Sequence, residues 1–205
     1  MGSSDAEVIE ASWRNPEAFG AIFDRHLQAI YGFCLRRLGA EVAEDLAGET
    51  FLRAFHARSR FDISQTSALP WLFGIARNVV REQIRTAVHR EAGVERLHEQ
   101  PQFSPIDQAV LATEARQDLD AITRALLDLP EDEVETLLMH VWEGLSYAEC
   151  ALALGIPIGT VRSRINRIRR RLREHLVQRP TGERAATEPS IVTLRLLGGS
   201  HERPA

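Results

Sequence analysis

The sequence predicts an all-α fold, with two small helical domains joined by a flexible linker. Three observations point there. Apolar residues recur at three- and four-residue spacing along most of the chain, as on helices buried along one side. The alternation that marks strands is nearly absent. The helical pattern lapses across residues 91–112, where Gly93, Pro101 and Pro105 stand among acids. A chain of 205 residues has room for two units of this size.

Residues 1–14 read as an N-terminal tail. Asn15-Pro16-Glu17 then combines a capping residue, a proline at the first helical position and an acid in the first turn. Phe19, Ile22, Phe23, His26, Leu27, Ile30, Tyr31 and Cys34 follow as one apolar stripe, and Gly39 stands where a glycine ends a helix. A second helix is expected from Ala40 to Arg58. It turns Val42, Leu46, Thr50 or Phe51, and Phe55 inward, with Glu41, Glu44, Asp45 and Glu49 on its other face. The polar stretch Phe61 to Ala68 reads as a loop. A third helix starts near Ser67, has Pro70 in its first turn and continues to Arg90. Trp71, Leu72, Ile75, Val79 and Ile84 suit burial there, while Arg77, Arg81 and Arg85 line one face beside Asn78. These elements make a first domain over residues 15–90.

Past the linker, residues 113–178 form the second domain. Ala121, Ile122, Ala125, Leu126 and Leu129 make a stripe that Pro130 breaks. Glu131, Asp132 and Glu133 open the next helix where its dipole favours acids, and Val134, Leu137, Leu138 and Val141 continue the core. Ser146-Tyr147-Ala148-Glu149 is a capping box, in which hydroxyl and carboxylate each satisfy an orphan backbone N–H. Gly155 ends that short helix, and another runs from Pro157–Thr160 to His175. Residues 179–205 carry prolines and glycines around a small apolar island, Ile191 to Leu197, and are expected to be a disordered tail.

Charge sharpens the division. The net charge is −4, yet residues 156–179 hold eight arginines against one acid, and residues 91–155 are strongly acidic. A focused basic helix next to an acidic block suits a nucleic-acid partner. All 25 basic residues are arginine, which genome composition explains more simply than binding. Cys34 and Cys150 are too few for a disulfide scaffold and lack metal-ligand spacing. No apolar run is long enough to span a bilayer, and the first residues lack a secretory pattern, so a cytoplasmic protein is expected. The seven histidines are scattered without metal or triad spacing, which argues against an enzyme, a metal site or a cofactor.

Two short helices joined by a tight turn, the second rich in arginine, form a helix-turn-helix pattern. Its second helix would enter the major groove with Thr160, Arg162, Ser163, Asn166 and Arg167 toward base edges, because arginine pairs with guanine and asparagine with adenine. Other arginines of the run suit phosphates.

The stretch Leu145 to Glu174, opened by Leu127-Asp-Leu-Pro-Glu-Asp-Glu133, closely resembles region 4 of the extracytoplasmic-function (ECF) sigma factors of the sigma-70 family. Ala43-Glu-Asp-Leu-Ala-Gly-Glu-Thr-Phe-Leu-Arg-Ala-Phe55 resembles region 2.2, and Pro70 to Arg85 resembles regions 2.3 and 2.4. The resemblance covers residues 15–178. It implies that Glu44, Asp45 and Glu49 contact the β′ clamp helices of core RNA polymerase, whose β subunit is a further partner. It implies that Ile63, Ser64 and Gln65 of the loop, with Trp71, Arg77, Asn78, Arg81 and Arg85, handle the melted −10 element of promoter DNA. For Trp71, core packing competes with stacking on DNA. Thr160, Arg162, Ser163, Arg164, Asn166 and Arg167 match the positions that read the −35 duplex. The acidic linker would follow the polymerase cleft, and an anti-sigma factor is an expected partner. Gly48 departs from a common Gln, Gly74 from a frequent basic residue and Cys150 from an aliphatic. The alternative is a free-standing helix-turn-helix transcriptional regulator, which would usually dimerise; no clear dimerisation element stands out.

Overall fold

A computed structural model of the chain describes residues 3–91 and 129–177. They belong to two compact units, one N-terminal and one C-terminal. Among the described residues every regular element is helical. The linker beyond Glu91, the stripe from Ala121 to Leu126 and the tail 179–205 lie outside the described residues.

The N-terminal unit opens with a helix where the sequence suggested a tail. Helix α1 spans Asp5–Ser12 and is started by a capping box: the Glu7 N–H donates to Ser4 Oγ at 3.3 Å, and the Ser4 N–H donates to Glu7 Oε2 at 2.8 Å. Val8, Ile9 and Ser12 are buried, so a short apolar face is what draws α1 onto the unit. The next helix also differs in detail from its expected start. Asn15 makes no side-chain cap, and Pro16–Phe19 forms a 3-10 turn before α2, Gly20–Leu38. Its Gly39 closes it in the left-handed region at φ 80°, a conformation that favours glycine, while the Gly39 N–H donates to Leu35 O at 3.0 Å.

Helix α3 spans Ala40–Ala57, and a 3-10 turn over Arg58–Arg60 leads to the loop. Helix α4 runs Leu69–Glu91. The core that joins α1 to α4 holds Ile9, Ile22, Ile30, Phe33, Leu72 and Phe73, all with at most 1% of their surface exposed. Burial of each such side chain stabilises the unit by about 1.5–3 kcal/mol. Phe33 and Phe73 meet at 5.4 Å between ring centroids, and Phe19 meets Phe55 edge-on at 5.5 Å. Phe33 was not part of the expected stripe. Phe23 and Ile84, expected inside, are exposed, although Phe23 still meets the Phe51 ring edge-on at 4.9 Å.

The C-terminal unit holds α5 over Glu131–Val141, α6 over Tyr147–Leu154 and α7 over Ile158–Val177. Val161, Ile165, Ile168 and Leu172 of α7 are buried, an i, i+4, i+7, i+11 seam, together with Leu137 and Met139 of α5. Gly155 makes the turn before α7 at φ 64°.

Candidate nucleic-acid interface

The helix-turn-helix is set by backbone hydrogen bonds that its sequence encodes. Ser146 N–H donates to Glu149 Oε2 at 2.8 Å and Glu149 N–H donates to Ser146 Oγ at 3.2 Å, the expected capping box of α6. One residue earlier, the Leu145 carbonyl accepts from His140 Nδ1 at 2.7 Å and from the Cys150 thiol at 3.7 Å. The carbonyl can only accept, so Nδ1 of His140 carries the proton. Burial pushes the Cys150 thiol up to about 12, helped by nearby Glu149, so it stays protonated and serves as a small packed donor. Neither His140 nor this role of Cys150 stood out from periodicity alone.

On α7 the expected DNA-facing residues fall into two groups. Arg162, Ser163 and Asn166 are exposed on the face opposite the buried seam, and Arg170 and Arg173 extend that face. Thr160 is half-buried at the start of the helix, where its carbonyl accepts from the Ser163 hydroxyl at 3.0 Å. Arg164 departs from the expectation: it turns toward α5. It pairs with the Asp132 carboxylate and donates to Thr136 Oγ1 at 3.3 Å and Asp132 O at 3.4 Å. Arg167 pairs with Glu133, a carboxylate whose side chain is only 3% exposed, while half of its own side chain stays open. The acids at the start of α5 thus do more than complement a helix dipole. They hold two arginines of α7.

In the N-terminal unit the loop has a built shape. Asp62 anchors it: Oδ1 accepts the Ser64 N–H at 3.0 Å, Oδ2 accepts from Gln65 Nε2 at 3.4 Å, and the Gln65 N–H donates to Asp62 O at 3.0 Å. The hydrogen bonds from Ser64, then Gln65, hold the Asp62 carboxyl below its ordinary range. Ile63 and Ser64 are left exposed at the tip, and Gln65 is half-buried. Phe61 is buried beneath the loop with its ring 5.2 Å from that of Trp71. Trp71 itself is half-buried.

Asn78, Arg81 and Arg85 share a shallow groove of about 320 Å³ with Arg53 and Glu82. Arg77 does not line it. Arg53 reaches from α3 to bond Glu49 at 2.6 Å and Glu82 at 2.8 Å. Those bonds raise the Arg53 pKa, and Arg53 lowers that of Glu82. Of the three acids expected to meet a partner, Glu44 and Asp45 are exposed, and Glu49 is half-buried and engaged by Arg53. Among the described residues no cluster of His, Cys, Asp or Glu could hold a metal ion, and no helix is long and apolar enough to cross a membrane.

Comparison with known proteins agrees with this anatomy. The family described as sigma-70 region 2 matches residues 22–90, and sigma-70 region 4 matches residues 119–172. The chain is 34% identical over 164 residues to the ECF RNA polymerase sigma factor SigC of Mycobacterium tuberculosis, covering 80% of this chain and 86% of SigC. It is 34% identical over 170 residues to SigW of Bacillus subtilis, covering 78% and 89%. Among solved structures, the sigma factor RpoE of Bartonella quintana, in complex with the anti-sigma factor NepR, matches with a TM-score of 0.52 at 28% identity, covering 79% of this chain and 98% of RpoE. CnrH, in complex with the cytosolic domain of CnrY, shares the fold with a TM-score of 0.55 at 24% identity, covering 87% of this chain and 100% of CnrH. Both sigma regions occur in one chain, in order, on the helices just described. The chain belongs to the ECF sigma factors of the sigma-70 family, the subunits that bind core RNA polymerase and direct promoter-specific initiation of transcription.

Proposed function

We propose a division of that work among three surfaces. The exposed acids Glu44 and Asp45 on α3 meet the β′ clamp helices of core polymerase, with Glu49 contributing through its pair with Arg53. The loop tip at Ile63 and Ser64, with Gln65, takes bases of the melted −10 element, while Asn78, Arg81 and Arg85 track its phosphates. Arg162, Ser163 and Asn166 read the −35 duplex, Thr160 and Arg167 flank them, and Arg164 holds α7 to its unit. Residues 15–90 and 113–178 act as the two DNA-binding domains, and the acidic stretch 91–112 links them along the polymerase cleft. An anti-sigma factor is a partner of this chain, as NepR is of RpoE. The protein works without catalysis of its own, in the cytoplasm.

The observation that carries the reading is the segregation of α7. Its apolar seam is buried and its arginine-rich face is open, directly after a capped helix and a glycine turn. Base-by-base substitution of the −35 element, read with wild-type and Arg162→Ala holoenzymes, tests it. Arg162→Ala should cost about 1–3 kcal/mol on the preferred element and flatten the preference at one position. An unchanged preference profile would remove Arg162 from the reading set.

A further inference from the structure

Helix α1 touches both stems of the base-reading loop and no expected DNA or polymerase contact lies on it. At the entry stem, Trp13, the C-cap of α1, donates from Nε1 to Arg58 O at 3.3 Å, and Arg58 Nε donates back to Ser12 O at 3.4 Å. The same Arg58 carbonyl accepts the Phe61 N–H at 3.2 Å, so the tie passes directly to the first residue of the loop. At the exit stem, Asp5 Oδ2 accepts the Ala68 N–H at 2.8 Å. Asp5 is 6% exposed and is itself fixed by α2, through Arg25 Nη1 at 2.9 Å and His26 Nε2 at 2.7 Å.

An acid in the first turn of a surface helix is normally solvated. Here it is buried, and its oxygens are spent on two side chains and on a backbone donor 63 residues away. That arrangement constrains the chain at Ala68, one residue before α4 begins. Between the two ties, Asp62 shapes residues 62–65. The tip is thus fixed in form by Asp62 and in position by α1.

We propose that α1 is a brace for the loop, with Asp5 and Trp13 as positioning residues for −10 recognition. This rests on the assignment of the loop to the −10 element. A recognition group must be held tightly by its supports, and a displacement of an ångström is enough to lose much of its effect. The brace predicts that loosening either stem weakens −10 capture while leaving polymerase and −35 binding alone.

The test uses full-length protein and its holoenzyme with core polymerase. Trp13→Phe removes the indole N–H, along with part of the ring, at a residue 43% exposed, and Asp5→Asn alters the exit tie. Amide exchange over residues 61–69 is compared with binding to fork-junction DNA carrying each base of the −10 element in turn. Ile63→Ala serves as the loop control. The expected result is faster exchange in both variants, about tenfold weaker −10 capture with flattened base preference, and unchanged affinity for core polymerase and −35 duplex. Trp13→Phe carries the test by itself if Asp5→Asn does not fold. Unchanged exchange in Trp13→Phe, or faster exchange with full −10 preference, overturns the brace. If Ile63→Ala leaves the −10 preference intact, the loop assignment fails first and the brace of a base reader falls with it, whatever the exchange shows.

Discussion

Arg164 and Arg167 sit three residues apart on a helix read as a DNA probe, yet acids of α5 hold both. A guanidinium that is 19% exposed and bonded to a carboxylate, a hydroxyl and a carbonyl is a structural strut. Arg164→Ala should therefore lower the stability of the C-terminal unit by about 1.5–3 kcal/mol, the worth of hydrogen bonds to a charged group, while −35 base preference stays the same. Thermal melting and −35 binding profiles separate the two effects. Altered preference with unchanged melting would return Arg164 to the reading set. Titration gives a second prediction at this scale. Burial opposes ionisation of Asp5, but the Ala68 N–H, Arg25 and His26 together hold its carboxyl below its ordinary range. A depressed folded pKa contributes stability that is complete above the unfolded value, about 3.9, and lost as pH falls through the folded one. Asp5→Asn should destabilise the N-terminal unit near neutral pH, and the gap from wild type should narrow as the medium is acidified below about pH 4. Urea unfolding at a series of pH values measures this; a gap of constant size would contradict it.

Helices were the legible part of the sequence, because a 3.6-residue period leaves its mark wherever one side is buried. The α6 capping box and the glycines at 39 and 155 followed from local rules. Long-range partners left no such mark. Asp5 looks like any first-turn acid until Ala68 and Arg25 come beside it, and Glu133 looks like a dipole partner until Arg167 meets it. Periodicity also misjudged Phe23, Ile84 and Phe33, since a period marks a face of a helix but not which of its edges a neighbour covers. Residues 1–14 read as a tail because eight helical residues show little periodicity, whereas packing and a capping box made them a helix. Helix α3 offers an element-scale prediction. Gly48 lies inside it, exposed, with no heavy atom within 4 Å of an added Cβ. Gly48→Ala should stabilise the N-terminal unit by about 0.5–1 kcal/mol, seen as a higher melting temperature, with core polymerase affinity unchanged. Asp45→Arg on the same helix should do the reverse, weakening polymerase binding in a pull-down while melting stays put.

For the whole molecule, the charge pattern rather than the net charge carries the meaning. A chain of net charge −4 can bind DNA because α7 gathers seven arginines against one acid, Glu174, while residues 91–155 are strongly acidic. One helix-turn-helix would fit a free-standing regulator equally well; the N-terminal unit, with its built loop and its match to sigma-70 region 2, separates the two readings. The most direct test is run-off transcription paired with gel shift, using this protein with and without bacterial core polymerase on promoter fragments. Initiation from discrete start sites only when both are present is the predicted result. Tight duplex binding by the protein alone, with no start-site selection when polymerase is added, would contradict it.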